Sequence, residues 1–340
     1  MTNAFTFLKR TPRFTPRTPG RLLSTGLFCL AALGLHALAS AAAEPAGVAQ
    51  ESAGSAGRPA DKPIAEFFNV GITHAAFRNI NPNDAAAAYL VVLETIGRHH
   101  GRHFKATTQI FDDPEVFEAA IRSGSFHLSV VGAWDYLSMH IDDVAKPMFV
   151  VTENGAVGRR YLVLTRRDSG LNALSDLRGK SIVKLEVAVV GAGLHWLDPL
   201  LSASRLGPQE RFFGSVEVVG KPSAAVLSVF FGKKSACVVD ESSFKIMKEL
   251  NPQVGLALQV VASSEKFADV VICIREGGWS SEALKAEGIQ ALADLPQDPG
   301  GRQILTLFKI DQMVPFRDEY LDTIRQLWAA CAKLTSEDER

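Results

Sequence analysis

Apolar and polar positions along the chain form the same α/β unit twice. In residues 117–136 a helical pattern ends at Gly124, a short apolar strand follows, and Gly132 separates that strand from a new helical pattern. In residues 223–240 an apolar helix again ends at a glycine, Gly232, before a short apolar strand. A glycine after the last periodic residue is the usual end of a helix. The repetition predicts two lobes, each presenting the end of a strand to a shared cleft.

The rest of the pattern alternates strands with helices, which predicts the α/β fold class. Further predicted strands occupy residues 67–72, 104–110, 145–151, 161–165, 181–185, 216–219 and 269–274. Further predicted helices occupy residues 82–97, 195–206, 281–292 and 318–333. We expect each lobe to hold a mixed sheet flanked by helices. The strands at 161–165 and 269–274 are expected to cross between the lobes as a two-strand hinge.

The first 43 residues predict a signal peptide. Five basic residues precede an apolar run at 22–38, and small residues that suit a cleavage site follow it. The run is short for a membrane anchor, and His36 interrupts it. The predicted organisation is a signal peptide at 1–43, a flexible leader at 44–63, lobe 1 at 64–160, lobe 2 at 161–268, and a return strand with C-terminal helices packing on lobe 1 at 269–334.

Charge and composition narrow the classes of function. The chain has 36 Lys and Arg against 37 Asp and Glu, and cleavage of the signal peptide removes five basic residues but no acidic one. A mildly acidic protein without a basic stripe is a poor candidate for binding nucleic acid. No later apolar run reaches transmembrane length. We therefore expect an exported monomer that binds no nucleic acid.

Three cysteines remain after the predicted cleavage: Cys237, Cys273 and Cys331. An odd count is not a disulfide framework, and the apolar sequence around each cysteine is typical of small buried residues. The sequence leaves open a disulfide between Cys237 and Cys273.

Candidate ligand-binding residues follow the ends of the predicted strands. A glycine between a buried strand and a helix allows the backbone to approach a ligand and leaves N–H groups free at the helix start. Ligands of open α/β sheets bind outside the carboxyl ends of the strands. The candidates are Thr73, His74, Gly132, Ala133, Trp134 and Tyr136 in lobe 1, and Val190, Gly191, Ala192, His195, Asp240 and Glu241 in lobe 2.

Each group of candidates also has a purely structural alternative. Residues 132–136 equally suit an ordinary strand-to-helix turn with Trp134 and Tyr136 in the core. His195 equally suits packing or capping. Asp240 and Glu241 equally suit the start of a helix near Ser242, where an aspartate is a favoured N-cap.

The order of these motifs resembles that of the periplasmic solute-binding proteins of ABC importers, most closely the phosphate, phosphite and phosphonate-binding (PhnD-like) family. The similarity covers residues 64–330, and the segments that carry it are 124–136, 161–165, 168–170, 176–180, 224–240, 308–311 and 314–315. The resemblance implies a type II periplasmic-binding-protein fold. It also implies a periplasmic protein that captures a small molecule between its lobes and delivers it to the permease and ATPase of an ABC importer.

One segment departs from the family pattern. Phosphonate-binding members carry a hydroxyl-rich turn, Ser-Thr-Ser-Gly or similar, where this chain has Val-Val-Gly-Ala-Gly at 189–193. A buried dianion needs dense hydrogen bonding or opposite charge. The departure therefore makes an oxyanion ligand doubtful and favours a neutral or partly apolar ligand, such as a lipid or sterol. The alternative is that another segment supplies the donors, for instance Thr73, His74 or Ser242.

The sequence lacks familiar catalytic and metal-binding motifs. It contains no Gly-x-Ser-x-Gly elbow, no Gly-x-x-x-x-Gly-Lys-Ser/Thr loop and no His-Glu-x-x-His. The histidines at 99–103 have no cysteine or carboxylate at ligand spacing. We therefore expect a binding protein and not an enzyme, with no metal and no cofactor. A ligand-binding sensor module that signals to a membrane kinase is an alternative that the sequence does not separate from transport.

Overall fold

The structure is a computed structural model that describes residues 66–76, 82–99, 104–185 and 191–338. The predicted signal peptide, the predicted leader and Val190 lie outside the described residues.

Twelve strands and twelve helices occur within the described residues. The strands are β1 Glu66–Thr73, β2 Phe104–Phe111, β3 Leu128–Gly132, β4 Ala145–Glu153, β5 Ala156–Val157, β6 Tyr161–Arg166, β7 Ser181–Leu185, β8 Ser215–Val219, β9 Ala236–Asp240, β10 Leu258–Ser263, β11 Val270–Arg275 and β12 Gln312–Pro315. The helices are α1 Pro82–His99, α2 Pro114–Arg122, α3 Ala133–Met139, α4 Gly191–His195, α5 Leu197–Ala203, α6 Gln209–Phe212, α7 Pro222–Phe230, α8 Glu241–Leu250, α9 Pro252–Ala257, α10 Glu282–Asp294, α11 Pro299–Leu307 and α12 Asp322–Asp338.

The strands form two mixed sheets with the same internal plan. Sheet A has the order β12-β4-β11-β3-β1-β2, with β5 paired to β4, and sheet B has the order β10-β6-β9-β7-β8. In sheet A, β2, β1 and β3 are parallel and β11 runs antiparallel to β3. In sheet B, β8, β7 and β9 are parallel and β6 runs antiparallel to β9. The predicted fold class, two mixed sheets flanked by helices, is therefore confirmed.

The repeated sequence unit occupies equivalent places in the two sheets. It corresponds to α2 and β3 in sheet A, and to α7 and β9 in sheet B. Gly124 and Gly232, which end the two helices, have positive φ angles of 81° and 71°. Residues that carry a side chain rarely adopt this backbone conformation, so glycine is required at both turns. The predicted crossing strands are β6 and β11, and each lies beside the strand of a repeated unit.

Hydrophobic clusters cover both faces of each sheet. One cluster lies between sheet A and the helices α1, α10 and α11, and another lies between sheet B and the helices α7, α8 and α9. The largest cluster continues from the other face of sheet A, through α3 and α12, to α5 and sheet B. Helix α12 was expected to pack on lobe 1; it contacts α3 and also α4 and α5.

The predicted helix at 195–206 corresponds to α5, whereas His195 is the last residue of the separate helix α4. Pro199 has no N–H to donate to the carbonyl of His195, so the hydrogen bonds of one continuous helix are interrupted there. The Cys331 thiol of α12 donates to this carbonyl at 3.6 Å. The interruption therefore allows a direct contact between α4 and α12.

The three cysteines are all free. Cys237 is buried in sheet B and Cys273 is buried in sheet A, so the disulfide that the sequence left open is not formed in this structure. Burial raises the pKa of both thiols, which makes them poor nucleophiles.

Candidate functional site

The backbone N–H groups at the carboxyl end of β3 form hydrogen bonds within the protein. Because β1 and β3 are parallel neighbours, Thr73 and Gly132 lie at the same edge of sheet A. The Gly132 N–H donates to the Thr73 hydroxyl at 2.9 Å, and the Ala133 N–H donates to the Asp269 carbonyl at 2.8 Å. Thr73 and Ala133 are buried. The N–H groups of Gly132 and Ala133, which the sequence suggested for ligand binding, therefore bond within the protein.

A carboxylate that the sequence pattern did not single out, Asp135, lies beside these groups. Asp135 is in the first turn of α3, and its carboxyl is close enough to the Thr73 hydroxyl for that hydroxyl to influence its pKa. A Cβ atom at residue 132 would lie 3.1 Å from the Asp135 Oδ2 atom and 3.0 Å from the Ala75 Cβ atom. Glycine at 132 therefore makes room for neighbouring side chains. The available sequence signal was an acidic residue in the first helical turn after a strand-ending glycine.

Burial changes the titration of Asp135. It raises the pKa of this carboxyl from 3.8 to about 6, and the hydrogen bond from Thr73 acts in the opposite direction. The folded protein therefore holds this proton more tightly than the unfolded chain. The resulting stabilisation is present below about pH 4 and is lost as the pH rises through about 6.

The Asp135→Asn variant tests this titration, because its uncharged amide does not lose the stabilisation. We expect the urea midpoint of the variant, relative to the natural protein, to rise between pH 4 and pH 6 and to level off above pH 7. A difference that stays constant over that range would contradict the buried position of the carboxyl.

An aromatic stack at Trp134 connects the two sheets. The ring centroids of Trp134 in α3 and His195 in α4 are 4.0 Å apart, and the ring planes differ by 9°. Trp328 of α12 packs on Trp134 with the centroids 4.7 Å apart. The structure thus brings a candidate of lobe 1 directly against a candidate of lobe 2.

His195 contributes an uncharged ring to this stack. Burial lowers the pKa of its imidazole, while Asp198 acts in the opposite direction. A neutral imidazole stacks on an indole face without the desolvation that a buried charge would require. His195 therefore packs on Trp134 where α3 meets α4.

Helix α4 also contacts the first crossing strand. Gly191 and Ala192 begin α4, and Ala192 is buried. A Cβ atom at Gly193 would lie 2.5 Å from the Cε1 atom of Tyr161. The ring of Tyr161 therefore requires glycine at 193, and this contact fixes the start of α4 against β6.

Arg159 gathers three carboxylates where the chain crosses between the sheets. The guanidinium lies 3.0 Å from Glu153, 3.2 Å from Asp269 and 3.8 Å from Asp240. The Arg159 side chain is 9% exposed, that of Glu153 is 13% exposed, and those of Asp269 and Asp240 are each 3% exposed. Burial acts to lower the pKa of Arg159, but the carboxylates outweigh it and raise the pKa overall. The guanidinium of Arg159 thus contacts Glu153 in sheet A, Asp240 at the end of β9, and Asp269, where the chain returns from sheet B to sheet A.

Asp240 and Glu241 adopt the structural alternative that the sequence allowed. The Asp240 carboxylate is the N-cap of α8, accepting from the Ser243 N–H at 2.8 Å and the Ser243 hydroxyl at 2.6 Å. Glu241 is the first residue of α8, and its side chain is exposed. Both residues lie beside residues 159–160, where the chain passes from sheet A to sheet B, and neither belongs to the stack of Trp134 on His195.

His74 and Tyr136 each contact a carboxylate. The Nδ1 atom of His74 lies 2.8 Å from the Asp112 carboxylate, which is 87% exposed. Tyr136 lies in the hydrophobic core, and its hydroxyl donates to Asp142. The structure therefore brings Thr73, Ala133 and Trp134 to one edge, and the nearby His74 and Tyr136 side chains contact Asp112 and Asp142.

A cavity of about 670 Å³ adjoins the stack. Its wall contains His195, Asp198, Arg205, Glu210, Cys331 and Thr335. The cavity lies between α12 and the segment that runs from α4 to α6, and it shares His195 with the contact between α3 and α4.

Metal chemistry is not indicated in the part of the chain that the structure describes. No group of three or more His, Cys, Asp or Glu side chains there is arranged to hold a metal ion. In the same residues, no helix combines the length and the apolar character that a bilayer span requires. The candidate site consists of aromatic, small and carboxylate residues.

Sequence comparison identifies one family model. The model described as "ABC transporter, phosphonate, periplasmic substrate-binding protein" matches residues 75–321, well over half of the chain. No curated protein matches the chain in sequence.

Solved structures share the fold at low sequence identity. XAC2383 from Xanthomonas citri bound to ATP has a TM-score of 0.60 at 14% identity, covering 80% of this chain and 99% of that one. PhnD1 from Prochlorococcus marinus in complex with methylphosphonate has a TM-score of 0.55 at 13% identity, covering 79% and 99%. A binding protein component of an ABC phosphonate transporter from Pseudomonas aeruginosa has a TM-score of 0.54 at 13% identity, covering 81% and 95%. These similarities concern the fold alone.

Proposed function

Because the chain belongs to the family of periplasmic substrate-binding proteins of phosphonate ABC transporters, we propose that it captures a small solute between sheet A and sheet B for an ABC permease and ATPase. The observation that carries this proposal is the stack of Trp134 on His195. It places α3, at the carboxyl end of β3, against α4, which follows β7 in sheet B. Ligands of open α/β sheets bind outside the carboxyl ends of the strands, which is where α3 lies in sheet A.

The proposed ligand-binding surface is smaller than the set of sequence candidates. On the sheet A side it comprises Thr73, Gly132, Ala133, Trp134 and Asp135, and on the sheet B side it comprises Gly191, Ala192, Gly193 and His195. Asp240 belongs instead to the proposed hinge, with Arg159. The proposed lobes are residues 64–160 with 269–334, and residues 161–268. Hinge closure of these lobes would bury the solute.

We also propose that the protein is exported and that it is not an enzyme. The family is a periplasmic transporter component, and we propose that residues 1–43 direct export and are then removed. The mature protein would act as a monomer that binds and releases its solute unchanged. Affinity for the importer would then depend on whether the lobes are closed.

Native mass spectrometry of the protein purified from periplasm without denaturation tests this function. We expect a mature chain that begins near residue 44 and carries one small molecule of fixed mass. Unfolding and refolding in clean buffer should remove that mass. A chain that retains its first 43 residues, or that never carries a small molecule from any growth medium, would contradict the proposal.

A further inference from the structure

Helix α12 contacts both sides of the proposed ligand-binding surface. The ring of Trp328 packs on Trp134 of α3, on the sheet A side, with the centroids 4.7 Å apart. The thiol of Cys331 donates to the carbonyl of His195 in α4, on the sheet B side, at 3.6 Å. Residues three positions apart lie on the same face of a helix. One face of α12 therefore connects the two elements that closure of the lobes brings together.

The two halves of α12 are packed differently. In the first half, Ile324 and Leu327 are buried, and the Thr323 hydroxyl donates to the Lys266 carbonyl at 2.6 Å. Among residues 328–335, the last of the helix whose side chains the structure describes, no side chain is buried. A segment with few buried apolar side chains separates from its neighbours at a low cost in free energy. The first half of α12 is thus anchored, whereas the second half is held by contacts at its surface.

The cavity of about 670 Å³ lies beside the second half of α12. Cys331, Leu334 and Thr335 form its wall on α12, and Asp198 and Ser202 belong to its wall on α5. Side chains that face a cavity lack the dispersion contacts that a filled core supplies. Separation of this half of α12 from α5 would therefore break few contacts.

We propose that residues 328–335 form a strap, which lies on α4 and α5 while a solute is held between the sheets and releases them when the solute exchanges. This inference rests on the proposed function, because it requires a solute that the closed lobes bury. Contacts that exist only in the closed protein shift the population toward closure. The anchored first half of α12 keeps the strap in place for the next closure.

Cys331 is a natural reporter of the strap. Of the three cysteines that follow the predicted signal peptide, Cys237 and Cys273 are buried and Cys331 is partly exposed. Burial, with a smaller contribution from Asp198, raises the pKa of the Cys331 thiol to about 11. The thiolate is the form that reacts with an alkylating reagent. Release of α4 and α5 by the strap should therefore speed alkylation at this residue.

The test measures the rate at which iodoacetamide alkylates Cys331 at pH 8, by intact mass. The samples are the natively purified protein with its co-purified solute and the same protein refolded without solute. We expect Cys331 to react at least about tenfold more slowly in the solute-bound sample, because one unit of pKa changes the thiolate fraction about tenfold. Cys331→Ser is the control and should take up no adduct while folded. Equal rates in two samples that differ in bound solute overturn the strap while solute capture stands.

A second comparison does not need the solute. Trp328→Ala removes the ring that holds the strap on α3, so we expect it to speed alkylation of Cys331 by about 2–13-fold. Trp279→Ala, which truncates a tryptophan that packs with the cluster on the other face of sheet A, should leave the rate unchanged. Equal rates in these two variants overturn the strap. A protein that never carries a solute counts against the proposed function, and the two tryptophan variants then decide the strap by themselves.

Discussion

Replacing Arg159 by methionine should destabilise the protein by about 3–5 kcal/mol, the cost of leaving buried charges without their partner. Arg159 is the guanidinium that Glu153, Asp240 and Asp269 share, and all four side chains are largely buried. Methionine fills a similar length of side chain but offers no charge and no donors. The three carboxylates would then lose the cation that they share. Urea denaturation at pH 7 measures the loss.

An exposed arginine provides the control for this variant. Arg122 contacts Glu118 and Asp143 on the surface, and exposed ion pairs contribute little to stability. Arg122→Met should therefore shift the urea midpoint only slightly. If Arg159→Met costs no more than Arg122→Met, the buried cluster does not hold the crossing in the way that the structure indicates.

Replacing Trp134 by alanine should weaken retention of the solute by about 2–13-fold, which corresponds to about 0.5–1.5 kcal/mol. The substitution removes two aromatic contacts, to His195 and to Trp328, and each such pair contributes about 0.5–1.5 kcal/mol. Only the contact with His195 joins elements of different sheets, so its loss should favour separation of α3 from α4. Native mass spectrometry during dialysis measures the rate at which the co-purified solute leaves.

Trp279→Ala is the matched control for Trp134→Ala. Trp279 packs against Phe68 and His127 in the cluster on the other face of sheet A. Its truncation should lower the free energy of unfolding but leave the dissociation rate of the solute nearly unchanged. Equal dissociation rates in the two variants would contradict a specific role for Trp134 in holding the sheets closed.

The fold could be predicted from the sequence because the patterns that indicate each helix and strand lie within short stretches of the chain. Gly124 and Gly232 end helices at positive φ, and an apolar strand follows each of them. Helix N-caps were equally readable: the Asp113 carboxylate accepts from the first N–H groups of α2, which begins at Pro114. β12 was not predicted, because it is a short edge strand that ends at Pro315, with weak alternation of apolar residues.

The candidate site was only partly predictable, because its chemistry depends on pairs of residues that are distant in the sequence. The sequence placed Thr73 and Gly132 at strand ends. It did not indicate that they would bond to each other across 59 positions. The pKa of Asp135 depends on burial and on the Thr73 hydroxyl. The ion pairs of Arg159 involve carboxylates from three segments of the chain. Tyr136 was a candidate for ligand binding with a core position as its alternative, and the structure places it in the core with its hydroxyl bonded to Asp142.

Small-angle X-ray scattering with and without the bound solute is the most direct test of solute capture between sheet A and sheet B. The samples are the natively purified protein and the same protein after unfolding and refolding without solute. We expect the solute-bound protein to have the smaller radius of gyration, because α3 and α4 meet only when the sheets approach each other. Identical scattering from two samples that differ in bound solute by mass spectrometry would contradict closure.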